Sequence, residues 1–351
     1  MMKEGIPTTQ RAWQQFKRGK PKDVLRLVQD APVPRLSADE VLVKVHSAAL
    51  NPVGYKMMGS VPWPIARFPI IPESDFAGVV VDSNGHAELS VGQEVIGHLD
   101  PFQKLRSGQG ALAEYVNVSS DHIVAKPAEV PFSEAAGLPI VTLTAYEGIM
   151  KRGKVKSGDR VFINGGSSAV GLMAIQLAKQ RGATVVTSCS GAKREFVQAL
   201  GADLVVDYTA SPLVSQLAKM EPFDLALDCI GVISLCRGSA NFLKPSGPYL
   251  AIGLDLKGLS TLQTIGSFLR LFRLAALPSL LGGAGRKVTM YSMAWDQKAL
   301  AELAEMVATG QIRVPVDGAY GWEKEDVMKA YERQMSARAQ GKVIIQMERD
   351  I

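Results

Sequence analysis

The segment from Arg160 to Lys179 reads Arg-Val-Phe-Ile-Asn-Gly-Gly-Ser-Ser-Ala-Val-Gly-Leu-Met-Ala-Ile-Gln-Leu-Ala-Lys. Its apolar start predicts a buried strand, its glycines a tight turn, and its later spacing an amphipathic helix. That order of parts receives the pyrophosphate of a dinucleotide. Gly165 and Gly166 let the backbone turn and come close to the phosphates, Gly171 lets the helix lie against the strand, and Ser167, Ser168, Ala169 and Val170 complete the turn. The helix N-terminus then faces the anion. Ser168 stands where the middle glycine of Gly-x-x-Gly-x-x-Gly is expected, so the motif needs support from its surroundings.

Thr184–Ser188, Leu204–Val206 and Asp224–Asp228 read as further strands, with a helix over Lys193–Leu200. Strands separated by helices predict a parallel, doubly wound sheet. An NAD site of this kind places an acid about 20 residues after the first glycine, on the ribose 2′-hydroxyl. Here the second strand ends in Ser188-Cys-Ser-Gly-Ala-Lys-Arg194, hydroxyls and two cations suited to a 2′-phosphate. NADPH is the expected cofactor. Cations in the first turn of a helix oppose its dipole, which argues against a merely solvated role for Lys193 and Arg194.

The 351 residues, 47% hydrophobic, suffice for two domains with proper cores. No apolar run reaches the roughly 20 residues that span a bilayer, and the first residues lack a secretory hydrophobic region, so a cytoplasmic location is expected. Cys189, Cys229 and Cys236 form no Cys-x-x-Cys pair and read as packing residues. The net charge of +5 comes with no basic block, and nucleic acid is not expected as a partner. Glu40–Ser47, Phe76–Asp82 and Glu94–Gly97 read as β-strands, and the pattern turns helical near Ser133–Pro139. The expected division is a β-rich catalytic domain over 1–132, a cofactor domain over 133–309, and a return to the catalytic domain over 310–351.

Many ordered segments now carry a resemblance. They include Ala49-Leu-Asn-Pro-Val53, Pro72-Glu-Ser-Asp-Phe-Ala-Gly78, Val91-Gly-Gln-Glu-Val95, Ala111-Leu-Ala-Glu-Tyr115, Ala135-Ala-Gly-Leu-Pro139, Leu143-Thr-Ala-Tyr146, Leu200-Gly-Ala-Asp203, Asp207-Tyr208 and Gly341-Lys342. Over nearly its whole length the chain resembles the medium-chain dehydrogenase/reductase superfamily, in its zinc-free quinone oxidoreductase-like branch. The resemblance implies an α/β fold, with a GroES-like β-barrel catalytic domain made from both ends of the chain and an inserted Rossmann domain. It assigns Thr144 to the nicotinamide side, Gly165–Gly171 to the pyrophosphate, and Ser190, Lys193 and Tyr208 to the 2′-phosphate and adenine end. Ile230, Gly231, Ile252 and Gly253 would border ribose and nicotinamide, in keeping with ligands at the carboxyl ends of parallel strands. Lys342 matches a position that reaches the cofactor or substrate mouth in some relatives, or else is a solvated residue before an edge strand.

Zinc-dependent relatives carry a cysteine near position 51 and a His-Glu pair near 74–75, where this chain has Asn51, Ser74 and Asp75. His46, His86, His98 and His122 show no ligand-like spacing, so no metal is expected. Without a Lewis acid, hydride transfer to the β-carbon of an α,β-unsaturated carbonyl asks less of a site than carbonyl reduction. The enolate needs hydrogen-bond donors, for which Asn51, Tyr55 and Lys56 are the candidates; the α-carbon proton has water as an equal source. Relatives often have Asp where this chain has Gly54. The expected function is reduction of enones, alkenals or quinones, the apolar carbonyl compounds being the small-molecule partners. A trans-acting enoyl reductase of polyketide metabolism and a non-catalytic NADPH-binding protein are the alternatives.

Leu256–Trp295 contains no acid but carries Lys257, Arg270, Arg273, Arg286 and Lys287. Within it Phe268, Leu271, Phe272 and Ala275 follow helical spacing. A wall or lid of the substrate pocket is expected there, ahead of peripheral membrane contact. Lys287–Tyr291 matches the strand that pairs subunits in relatives, which would make a homodimer.

Overall fold

The computed structural model describes residues 5–60, 67–100, 104, 106–253, 261–277 and 281–347, with backbone alone at 261–265, 267, 268 and 271. The chain divides into two compact units, 1–140 with 295–351, and 141–294.

The first unit is antiparallel except where the strands Val316–Tyr320 and Lys342–Gln346 pair in parallel. Strands β1 (Thr9–Gln15) and β2 (Leu25–Pro32) pair with each other. A larger sheet holds β3 (Glu40–Leu50), β4 (Asp75–Asp82), β5 (Glu94–His98), β6 (Tyr115–Ser119), β7 (Ile123–Ala125), β14 (Val316–Tyr320) and β15 (Lys342–Gln346), in the order β14-β15-β3-β4-β5-β7 with β6 also on β3. The core under it is apolar, with Trp13, Val43, Phe76, Val95, Leu112 and Ile345 at most 1% exposed. Helices α1 (Pro52–Ser60) and α7 (Lys324–Met335) belong to this unit. Register brings distant polar residues together: Asp75 lies opposite Ala49 on one side and His98 on the other, and Leu50 lies opposite Val343, next to Lys342.

The second unit is doubly wound. Strands β8 (Arg160–Asn164), β9 (Thr184–Cys189), β10 (Leu204–Asp207), β11 (Leu225–Asp228), β12 (Tyr249–Ala251) and β13 (Val288–Met290) form a wholly parallel sheet in the order β10-β9-β8-β11-β12-β13. Strands of a parallel sheet are covered on both faces, hence the near-continuous apolar runs Val161-Phe-Ile163 and Val185-Val186. The order reverses between β8 and β11, the place where such sheets bind ligands beyond the strand ends. Helices α2 (Pro139–Tyr146), α3 (Ala169–Gln180), α4 (Arg194–Gln198) and α5 (Thr261–Ala276) come in chain order, and α6 (Gln297–Ala308), after β13, belongs to the first unit.

The unit boundaries differ from the sequence-based 132/133 and 309/310. The Gln297 amide at the start of α6 donates to Ile123 O at 2.8 Å, and the helix packs beside β7 of the first unit.

Candidate active site

In the second unit β8 runs into the turn at Gly165, whose φ of +81° is left-handed backbone that glycine takes without a β-carbon clash. Ser168 caps α3: its hydroxyl accepts from Gly171 N at 3.1 Å and donates to Gly165 O at 2.7 Å. A β-carbon at Gly166 would overlap the Thr187 side chain, and one at Gly171 would overlap Gly165 O. So tight a turn, at the start of a 12-residue helix with orphan N–H groups, fits a pyrophosphate.

A chain of buried hydrogen bonds supports it. Gly165 N donates to Ser188 Oγ (2.9 Å), Ser188 Oγ to Asn164 Oδ1 (2.6 Å), and Asn164 Nδ2 to Asp228 Oδ1 (2.7 Å). Asp228 also accepts from the backbone of Ile230, Gly231 and Val232 at 2.8–3.0 Å and from the Tyr249 hydroxyl. The turn at 165 and the loop at 229–232 are thereby fixed to one carboxylate. Asn164, Ser188 and Asp228 escaped the sequence reading, although each is a polar residue at or next to the end of one of three adjacent apolar strands. Ile230 is brought against Gly165, and Ile252 N donates to Asp228 O at 3.2 Å, so Ile230, Gly231 and Ile252 gather where the strands end, with Gly253 next in the chain.

The register of β10 with β9 sets Asp207 beside Cys189, which brings Tyr208, Ser190 and the Lys193 turn to one strand-end cluster. Tyr208 is 56% exposed. The cluster also contains an acid that the sequence reading did not weigh, Asp207 on the neighbouring strand. Its carboxylate accepts from Thr209 N and Oγ1 at 2.8 and 2.6 Å, and these bonds lead in holding its pKa below the usual carboxylate range. Arg194 turns back, donating to Val205 O at 3.1 Å. Thr144 lies buried on α2, its carbonyl bound by the Tyr291 hydroxyl at 3.0 Å.

The first unit holds a different cluster. Asn51 is buried; its Nδ2 donates to Asp75 Oδ2 (2.9 Å) and Ala49 O (3.3 Å), and its Oδ1 accepts from Lys342 Nζ (2.7 Å). Asp75 meets His98 Nδ1 at 2.6 Å and Lys342 Nζ at 3.7 Å. Glu73 Oε2 accepts from Asn51 N and Oε1 from the Tyr331 hydroxyl, both at 3.0 Å, while Lys104 Nζ reaches Glu73 O and Ser74 Oγ at 3.4 Å. Burial raises the Glu73 pKa to about 7 against the opposing pull of Lys104, the Asn51 N–H, Tyr331 and Lys342. Burial pushes Asp75 the same way, but its bonds to His98 and Asn51 and the cations beside it hold it below the ordinary value. Burial lowers both lysines, Lys104 and Lys342.

Two expectations change here. Asn51 is a linker rather than an open donor, because both its amide hydrogens have protein acceptors. Lys342 is not solvated: it is 3% exposed at the start of an internal strand, and its ammonium is taken up by Asn51, Asp75 and Leu50 O. Tyr55 and Lys56 lie on α1 next to this cluster, Tyr55 half-buried and Lys56 exposed. Burial raises the Tyr55 pKa, which keeps the phenol a donor at neutral pH.

Of the apolar stripe expected in 256–295, Phe272 is 68% exposed and Ala275 is exposed, beside exposed Arg270 and Arg273; the side chains of Phe268 and Leu271 lie outside the described residues. Among the described side chains of α5, Leu274 is buried, at 3% exposure. Among the described residues no helix is long and apolar enough to cross a membrane.

Comparison with known proteins agrees with both units. The model of the alcohol dehydrogenase GroES-like domain matches residues 37–128, and that of the zinc-binding dehydrogenase matches 200–345. Trans-enoyl reductase pgmF of Aspergillus terreus is 36% identical over 99% of both chains. The chain is a medium-chain dehydrogenase/reductase. A zinc-type alcohol dehydrogenase-like protein of Schizosaccharomyces pombe is 34% identical over 97% of both chains. The quinone oxidoreductase structure from Coxiella burnetii superposes with a TM-score of 0.81 at 26% identity, covering 97% of this chain and 99% of that one. As a medium-chain dehydrogenase/reductase the chain is an oxidoreductase of a superfamily that uses nicotinamide cofactors. Among the described residues no group of three or more His, Cys, Asp or Glu is placed to hold a metal ion.

Proposed function

We propose that this protein is an NADPH-dependent reductase of carbon–carbon double bonds conjugated to a carbonyl, as in enones and alkenals, or of quinones, and that it works without a metal ion. The observation that carries the reading is the donor set at positions 51, 74 and 75. Catalytic zinc needs thiolate or imidazole ligands and an open coordination position. Here Asn51 is bonded to Lys342 and Asp75, the Asp75 carboxylate to His98, and the Ser74 hydroxyl lies near Lys104, so these groups are engaged with one another.

Bound NADPH supplies the hydride. Gly165–Gly171 and the α3 N-terminus would hold its pyrophosphate; Ser190, Lys193 and Tyr208 would take the 2′-phosphate; Thr144, Ile230, Gly231, Ile252 and Gly253 would border the ribose and nicotinamide. The Tyr55 phenol and Lys56 ammonium on α1 would donate to the carbonyl oxygen as negative charge develops on it. The buried cluster around Asn51 fixes the start of the helix that carries them. The naming of relatives as trans-enoyl reductases supports a second form of substrate, an α,β-unsaturated acyl thioester, on which the same chemistry runs.

Steady-state NADPH oxidation across enones, quinones and unsaturated acyl thioesters tests the reading. Turnover of one of these classes is expected. A protein that binds NADPH yet turns over none of them would be a binding protein.

A further inference from the structure

Glu73 breaks two rules at once. It is a carboxylate 1% exposed, and its backbone φ of +61° lies in the left-handed region that a β-carbon disfavours. Facing it is a residue with no side chain: a β-carbon at Gly54 would overlap Glu73 Oε1 and come within 2.6 Å of its Cδ. Position 73 thus holds a side chain where backbone angle favours glycine, and position 54 holds glycine where space for a side chain is already filled. The bonds explain the pairing. Asn51 directly precedes the first residue of α1, and Gly54 is the third residue of that helix. In a capping box the acid at that third position reaches back to the N–H of the residue preceding the helix. Here Glu73 makes that bond from a separate segment, to Asn51 N at 3.0 Å, and its second oxygen accepts from Tyr331 on α7 at 3.0 Å.

We propose that Glu73 is a positioning residue of the active site, capping α1 from outside and tying it to α7, so that the turn carrying Tyr55 and Lys56 is held in one place. The space the Glu73 carboxylate occupies is also the space a side chain at position 54 would enter. The charged and titratable groups that face it are Lys104, Lys342, Asp75, His98 and Tyr331. For its activity readout the proposal rests on the reductase reading above.

The test is an exchange. Glu73→Gly and Gly54→Glu, each alone, are expected to lower kcat by about tenfold or more while the KM for NADPH stays within about twofold. The double variant Gly54→Glu/Glu73→Gly is expected to recover kcat to within about threefold and to regain the melting temperature lost in the single variants. Glu73→Gln serves if Gly54→Glu does not fold. In the parent, kcat should rise with pH through about 7, since the ionised carboxylate accepts both bonds, and in Glu73→Gln that rise should vanish. A folded double variant no better than the product of its parts, or a pH profile unchanged in Glu73→Gln, would overturn the proposal. A parent that turns over none of the three substrate classes would overturn the reductase reading and the positioning role with it, while the melting cycle still decides whether 54 and 73 share one carboxylate space.

Discussion

The two units each bury a polar chain, and they balance charge in opposite ways. Under the glycine turn a single carboxylate, Asp228, is met by neutral donors: three backbone N–H groups, the Asn164 amide and the Tyr249 hydroxyl. Under α1 two carboxylates, Glu73 and Asp75, are met by His98 and two lysines as well as by Asn51 and Tyr331. Backbone donors are fixed by strand and turn geometry, so the first arrangement is a rigid support. The second sets ionisable groups against one another, and it is where a carboxylate is pushed to about 7.

Removing the single anchor should have the largest effect. Asp228→Ala leaves five donors without their acceptor, at a cost of about 3–5 kcal/mol in unfolding free energy, with weakened NADPH binding because the turn and the 229–232 loop lose their common support. Urea unfolding and cofactor fluorescence titration would measure both. A loss below about 1 kcal/mol would break the contrast between the two clusters.

The cluster under α1 should respond to pH instead. A carboxyl whose pKa is raised on folding, here from 4.5 to about 7, favours the fold fully below the lower value, and this contribution is lost as pH rises through the higher one. Glu73→Gln removes the titration. Relative to the parent it should gain up to about 3 kcal/mol of stability on going from pH 4.5 to pH 8, read from denaturant unfolding at a series of pH values. A stability difference independent of pH would show that Glu73 is ionised throughout.

How much of this is legible in the sequence depends on how far apart the partners lie along the chain. The glycine turn, its strand and its helix are twenty consecutive residues, and local spacing suffices to find them. The alternation of strands and helices from 184 to 228 is equally local. The α1 cluster joins positions 51, 73, 75, 98, 104, 331 and 342, which strand register and the packing of α7 make neighbours. Asn51 and Lys342 lie 291 residues apart, and nothing in their spacing says that they bond each other. Glu73 left one trace, an acid inside a Pro-x-x-Asp-x-Ala-Gly segment that must turn sharply into a strand. On α5 helical spacing indicates a common face without saying what covers it, and Phe272 and Ala275 are exposed.

Smaller effects sharpen the comparison at the cofactor end. With the turn supported by neutral donors, preference for NADPH over NADH falls to the strand-end cluster, and the parent should bind NADPH at least tenfold more tightly, roughly 1.4 kcal/mol. Lys193→Ala should reduce that ratio in calorimetric titrations; equal affinities in the parent would remove the basis for the assignment. Smallest of all, Phe272→Ala should change folding stability by less than about 0.5 kcal/mol, since the ring is exposed. A larger loss in thermal unfolding would mean that something covers it.

The most direct test follows the hydride itself. After exhaustive chelation and elemental analysis for zinc, the protein is given NADPH deuterated at C4 of the nicotinamide and an enone, and the product is read by NMR and mass spectrometry. Deuterium at the β-carbon of a saturated ketone, at the same rate as before chelation, is the expected result. Deuterium on the carbinol carbon of an allylic alcohol, or activity that is lost on chelation and returns with zinc, would contradict metal-free conjugate reduction.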